Sequence, residues 1–208
     1  HLMLGEEELA GVNVYSIIQD KDQSIVMSAN NGLYRYNSLN FESLDVKASS
    51  DQSLFGLVKN SKGVIYCYNL IGEIFFIKNN KLCLFYKVPK EYLTSVIQLQ
   101  IDSEDHVLIS CKHILKIDLQ HKVSKIYTFK STETSNLVKS ADGKLYFSDN
   151  KELLFIQGNQ IKKYFTYSKP FKNIIKPIVS SSNQISFLFN TTTQGFSVAQ
   201  NVIQDKTF

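Results

Sequence analysis

Short apolar runs alternate with polar clusters along the whole chain, and the clusters recur at a nearly constant distance. Asp20, Lys21, Asp22 and Gln23 separate two apolar runs, as do Asn60, Ser61, Lys62 and Gly63. The same holds for Asp102, Ser103, Glu104 and Asp105, for Ser140, Ala141, Asp142 and Gly143, and for Ser180, Ser181, Ser182 and Asn183. The steps between first members are 40, 42, 38 and 40 residues. The flanking runs are as short as strands, and no segment sustains helical periodicity. A period of about 40 residues, all strand and turn, is the signature of a propeller blade. The expected fold is all-β, a β-propeller of four-stranded antiparallel blades.

Each repeat divides into strands A to D. In the first they fall at 14–19, 24–29, 33–37 and 41–46, with Asn30, Asn31 and Gly32 as a hairpin signal, since Asn and Gly accept positive φ cheaply. The second reads 54–59, 64–69, 73–78 and 82–88; the third 96–101, 106–111, 114–119 and 123–129. The fourth reads 136–140, 144–148, 153–157 and 161–167; the fifth 174–179, 184–189, 196–200 and 202–208. Five blades then cover 12–46, 53–88, 94–129, 135–167 and 173–208. Polar joints at 47–53, 89–93, 130–135 and 168–173 are too short for interdomain linkers, so the chain reads as one domain or one continuous portion of one. Ile114, Lys116 and Asp118 show alternation, whereas Ile25, Val26 and Met27 are continuously apolar, as inner strands buried on both faces would be. Residues 1–4 read as an additional strand that closes a ring. The expectation is therefore the first portion of a larger ring, of about seven blades. The alternative is a closed ring of five.

Hydrophobic content of 43% and aromatic content of 12% belong to a folded chain. With 3 Pro and 9 Gly, the turns must rely on Asn, Asp, Ser and Lys. The charge of +4 is scattered, and Lys162, Lys163, Lys169, Lys172 and Lys176 read as edge-strand lysines rather than a nucleic-acid groove. Nucleic acid is not an expected partner. Cys67, Cys83 and Cys111 lie inside apolar runs, without metal-ligand spacing, as small hydrophobes would, and their redox state stays open. No apolar stretch is long enough for a membrane helix, and residues 1–4, which run straight into Glu6, Glu7 and Glu8, do not read as a signal peptide.

The first repeat carries a more specific pattern. Val14, Tyr15, Ser16, Ile17, Ile18, Gln19 and Asp20 lead to Ile25 through Ala29, and then to Asn31, Gly32, Leu33, Tyr34, Arg35 and Tyr36. This resembles the two-component regulator propeller repeat, with its "V-x-S-I-x-Q-D" and "N-G-L-x-R-Y" strands at the family spacing. Leu2 through Gly11 is similar to the lead-in of such propellers. Later repeats keep only the strand and turn outline, and the strand B tryptophan is replaced by Met27, Tyr66, Ile109, Phe147 and Phe187. The resemblance implies the extracytoplasmic input region of a Bacteroidetes-type membrane histidine kinase. It implies a periplasmic or extracellular location, with membrane attachment only through segments absent from this chain. It also implies self-association as a dimer in the intact receptor, and an oligosaccharide or other small ligand.

The residues name no reaction. His1, His106, His113 and His121 accompany no HExxH, GxSxG, phosphate loop or paired-carboxylate motif, so the propeller is expected not to be catalytic. Asp102, Glu104 and Asp105 read as a plain turn rather than a Ca²⁺ loop, and no metal or cofactor is expected. Strands alternate in direction, so the B–C and D–A loops share one end of a blade. There lie Asn30, Asn31, Asp51, Asn69, Lys112, His113, Glu133, Asp149, Asn150 and Thr191. All are hydrogen-bonding side chains that suit a sugar or a peptide, and also suit ordinary turns. Tyr34 and Tyr36 fit strand packing better than sugar stacking. The function expected is ligand sensing; a protein-binding scaffold and, less readily, a glycan-active enzyme are the alternatives.

Overall fold

The computed structural model describes residues 8–95, 97–130, 136–149, 152–166, 173–179, 185–190 and 196–199. The fold is all-β and built of propeller blades: every sheet is an antiparallel meander whose strand order follows the chain. The first blade comprises β1 (Val14–Gln19), β2 (Ile25–Ala29), β3 (Gly32–Tyr36) and β4 (Phe41–Ser43). The second comprises β5 (Phe55–Lys59), β6 (Ile65–Tyr68), β7 (Glu73–Lys78) and β8 (Lys81–Lys87). The third comprises β9 (Gln98–Ile101), β10 (Val107–Ser110), β11 (His113–Ile117) and β12 (Val123–Thr128). The fourth comprises β13 (Val138–Lys139), β14 (Leu145–Asp149), β15 (Glu152–Gln157) and β16 (Gln160–Thr166). The fifth sheet holds β17 (Asn173–Val179), β18 (Ile185–Asn190) and β19 (Phe196–Ala199) among the described residues. Residues 1–4, the turn at 180–183 and the strand expected at 202–208 lie outside them.

The recurring tetrads are the A–B hairpins, and four of them close in the same way. The amide of the first member donates to the carbonyl four residues on: Asp20 to Ser24, Asn60 to Val64, Asp102 to His106 and Ser140 to Lys144. The fourth member's amide donates back to the first, at 3.0 to 3.4 Å. That geometry puts the fourth member in the left-handed region, as in three-residue hairpins with a bulge. Gln23, Gly63, Asp105 and Gly143 have φ of 68°, 81°, 65° and 83°. The first member's side chain finishes the turn; Asn60 Oδ1 accepts from the amides of Lys62 and Val64, and Asp102 Oδ1 from those of Glu104 and His106.

The chain divides into two compact units, His1–Leu99 and Gln100–Phe208. In the first unit, the core joins two blades: Val26, Leu33 and Leu44 pack against Leu54, Ile65, Cys67, Phe75 and Leu82. In the second, Leu108, Ile114 and Phe129 pack against Leu137, Leu145, Phe147, Leu154 and Ile156. Inner strands are thus buried on both faces, which is why β2, β10 and β14 read as continuous apolar runs. The fit also tolerates the missing tryptophan, since Met27, Ile109 and Phe147 are buried where it was expected. Neighbouring A strands are tied by matching lysines: Lys59 Nζ donates to the carbonyl of Gln19, and Lys139 Nζ to that of Ile101.

Two strands are shorter than their sequence pattern. β4 ends at Ser43 because Asp45 pairs with the second blade instead, accepting from Leu82 N at 2.9 Å and donating to the Asn80 carbonyl at 3.2 Å. β13 keeps only Val138 and Lys139. Lys116 departs more instructively. Alternation with Ile114 and Asp118 was its sequence signature, yet every residue of β11 is buried, Lys116 included.

Candidate functional site

At the B–C and D–A end of the first unit, the connector after β4 is held by the next blade's hairpin. Glu73 opens β7 and is 4% exposed. Its carboxylate accepts from Ser50 N (3.0 Å), Ser50 Oγ (2.7 Å), Asn69 Nδ2 (2.7 Å) and Lys87 Nζ (3.1 Å). Burial would raise this carboxyl, but the hydrogen bonds from Ser50, Asn69 and Lys87 outweigh it and hold the pKa down to about 2. Asn69 is buried too; its Nδ2 donates to Ser49 Oγ and its Oδ1 accepts from Glu73 N. Ser53 Oγ donates to the Asn30 carbonyl, and Asp51 Oδ1 accepts from Ser53 N. Asn30, Asp51 and Asn69 therefore surround one connector, while Asn31 stays exposed at the hairpin tip.

An aromatic stack adjoins these polar groups. Tyr15 lies over Phe55 with centroids 4.5 Å apart and planes 14° from parallel, and Phe55 is 6.0 Å from Tyr68. Gly56, at φ 60°, makes this possible: a Cβ there would meet Tyr68 Cε1 at 2.3 Å. Tyr15 remains 46% exposed.

The second unit repeats the device. Asp149 closes β14 and is 3% exposed; its Oδ2 accepts from Tyr127 OH and Lys130 N, both at 2.8 Å. Burial first, and then the Asp149 bond and charge, push the Tyr127 phenol up. Lys112 is exposed and accepts the Phe129 amide at its carbonyl. His113 is buried, with Nδ1 3.0 Å from Thr128 Oγ1, and burial followed by the charges of Lys125 and Lys112 lowers its pKa. Lys112, His113 and Asp149 thus surround the connector at Phe129 and Lys130. Glu133, Asn150 and Thr191 lie outside the described residues.

The opposite end carries charge. Arg35 reaches the first tetrad: Nη2 is 2.9 Å from Asp20 Oδ2, and Nη1 is 3.1 Å from Asp22 Oδ2 and 2.7 Å from Ser24 Oγ. This pairing gives a physical reason for the spacing of the "Q-D" and "R-Y" motifs. In the third blade, Lys116 Nζ lies 3.4 Å from Asp102 Oδ2, and His106 Nδ1 lies 2.8 Å from the same oxygen. The ligand atoms of Asp102, Glu104 and His106 fall within 4.8 Å of one another, a spacing that could hold a divalent cation. The Lys116 ammonium, 3.4 Å from Asp102 and 3.9 Å from Glu104, offsets one of the two carboxylate charges and would repel such an ion.

Sequence reasoning missed Glu73, Tyr15 and Phe55 as groups of this end, because their partners come from other strands. Tyr36 stacks on Phe41 at 4.6 Å, which is strand packing. Burial pushes the Cys67 thiol up to about 12, so it behaves as a hydrophobe. Among the described residues, no helix is long and apolar enough to cross a membrane.

No family model matches this chain, and no curated protein matches it in sequence. Solved structures do match in fold. The extracellular domain of a hybrid two component system from B. thetaiotaomicron aligns at TM-score 0.63 and 17% identity, covering 94% of this chain and 30% of that one. Virginiamycin B lyase from Staphylococcus aureus aligns at 0.69 and 15%, covering 95% and 72%. The Dos1 propeller aligns at 0.61 and 13%, covering 86% and 52%. This chain spans about three tenths of the extracellular domain it matches. The lyase, and gluconolactonases at 10% identity, correct the expectation that the propeller is not catalytic. The same architecture carries enzymes, so the want of a local motif excludes nothing. What these likenesses establish is the fold, an all-β propeller architecture shared with sensor domains and enzymes alike.

Proposed function

We propose that this chain forms part of the extracytoplasmic input region of a transmembrane two-component sensor. The observation that carries it is the alignment of 94% of the chain with the extracellular domain of such a system. The first-repeat motif, with Arg35 paired to Asp20, supports it independently. The ligand is a sugar or similar small polar molecule, received at the B–C and D–A end. Exposed Asn31 supplies hydrogen bonds, and the free face of Tyr15 supplies an apolar platform. Binding there would bias the connectors that join blades, and in the intact receptor would alter dimer geometry.

A panel of oligosaccharides tested by thermal shift and calorimetry examines this directly. A sugar that raises the melting temperature, with the shift lost in Asn31→Ala and Tyr15→Ala, is the expected result. Binding unchanged in both variants would remove the site. Leu70 and Ile71 favour a second reading, a protein-binding surface. They are 51% and 41% exposed at the tip of the hairpin that precedes Glu73. A panel without a hit, together with a protein partner lost in a Leu70→Ser, Ile71→Ser variant, would establish it instead.

A further inference from the structure

A cavity of about 330 Å³ lies between the first two blades, at the end opposite the loops just described. Its walls include Asp20, Asp22 and Arg35 from the first blade and Lys62, Lys78 and Asn80 from the second. We infer that it binds a small, multiply charged organic anion of the polycarboxylate or phosphate class.

Charge is the first argument. Arg35 holds both aspartates of the wall, at 2.9 and 3.1 Å, and offsets one of their two charges, so the four basic and two acidic residues of the wall leave an excess of positive charge. The other charged residues of the lining are Lys21, Lys62 and Lys78, which form no ion pair with an acidic side chain among the described residues. Three like charges around one space repel each other and raise the local potential for an anion. Lysine meets oxyanions as a point charge without demanding a planar fork, so carboxylate and phosphate oxygens are both suitable.

The second argument is the equivalent place in the other unit. Arg35 pairs across the hairpin with Val26, and Lys116 with Leu108; both partners lie six residues beyond the first member of their tetrad. The two cations therefore occupy the same blade position. In the second unit the seam is bridged directly, because Lys116 Nζ donates to Asn159 Oδ1 at 3.0 Å from the next blade's C–D turn. In the first unit, Asn79 and Asn80 form that turn, at φ 51° and 57°. Arg35 faces its own aspartates instead, and the space between is the cavity. A bound anion would bridge the seam where Lys116 and Asn159 bridge theirs. Its volume falls near the small end of ligand pockets, roughly 300–1,000 Å³.

Calorimetry of the whole chain at low ionic strength, with citrate and inorganic phosphate as probes and glucose as the neutral control, tests this. One saturable site is expected for at least one anion, weakened about tenfold or more by the exposed pair Lys62→Gln and Lys78→Gln. The tighter of the two probes then names the chemistry. The unliganded melting temperature of the variant should match that of the parent, which separates lost binding from lost folding. The inference is overturned if neither anion binds, or if the double variant binds as well as the parent. It is equally overturned if chloride at matched ionic strength gives the same saturable binding heat. The sugar experiment concerns the other end of the blades, so the two can fail separately.

Discussion

The two units place a charged latch at each end of a blade pair, but with different partners. Glu73 in the first unit and Asp149 in the second each receive a backbone amide from the preceding connector. Glu73 adds a serine hydroxyl, an amide and a lysine, whereas Asp149 adds a tyrosine hydroxyl. At the other end, Arg35 grips its own blade with a planar fork, while Lys116 divides its contacts between its own turn and the next blade. The repeat specifies where a polar anchor must stand, and leaves open which residue supplies it. A shorter or less forked cation spans a seam; a forked one that closes on its own hairpin leaves the seam open.

Removing the anchors should break this comparison most sharply. Glu73→Ala strands several buried donors at once and should cost about 3–5 kcal/mol, while Asp149→Ala should cost roughly 2–3 kcal/mol. Urea unfolding measures both, and a reversed order would end the contrast between the latches. Next come the cations. Arg35→Ala and Lys116→Ala each uncover a half-buried aspartate and should cost about 3 kcal/mol, whereas Arg35→Lys should keep part of the stability and lose the fork.

A pH profile tests the Glu73 latch by itself. Glu73 has its ordinary value of 4.5 in the unfolded chain and about 2 in the fold. Its contribution is therefore fully present above pH 4.5 and is lost as pH falls towards 2, amounting to about 3 kcal/mol. Thermal melts from neutral pH downward should show this decline, and Glu73→Gln should flatten that part of it. The smallest effect belongs to Lys144 and Asp142, a pair 2.7 Å apart but 41% and 35% exposed. Lys144→Ala should change stability by no more than about 0.5 kcal/mol, read from the same unfolding curves.

The blades were legible because their turns are local. Gln23, Gly63, Asp105 and Gly143 differ chemically, yet each sits in the left-handed position of the same hairpin, and short polar clusters between apolar runs are sufficient to mark it. The burial of Lys116 was not legible, because alternation identifies the two faces of a strand without saying whether one of them meets water. Between stacked blades neither face does. Glu73 was invisible for a related reason: Ser50 lies 23 residues away, and nothing near Glu73 announces the contact. Asn69 and Asp149 were chosen as candidates by residue type, which does not separate a side chain facing a ligand from one engaged by its own connector. Tyr15 carries no signal of its exposure within an apolar run. The enzyme question lay further out of reach, since one fold hosts both binding and catalytic functions.

Amide exchange, compared with and without the sugar that shifts melting most, tests the proposed sensing end most directly. Protection confined to the hairpin of Asn30 and Asn31, the connector at 47–53 and the start of β5 is the predicted result. Protection only at the tetrads of Asp20 and Asn60, or no sugar that protects any segment, would contradict it.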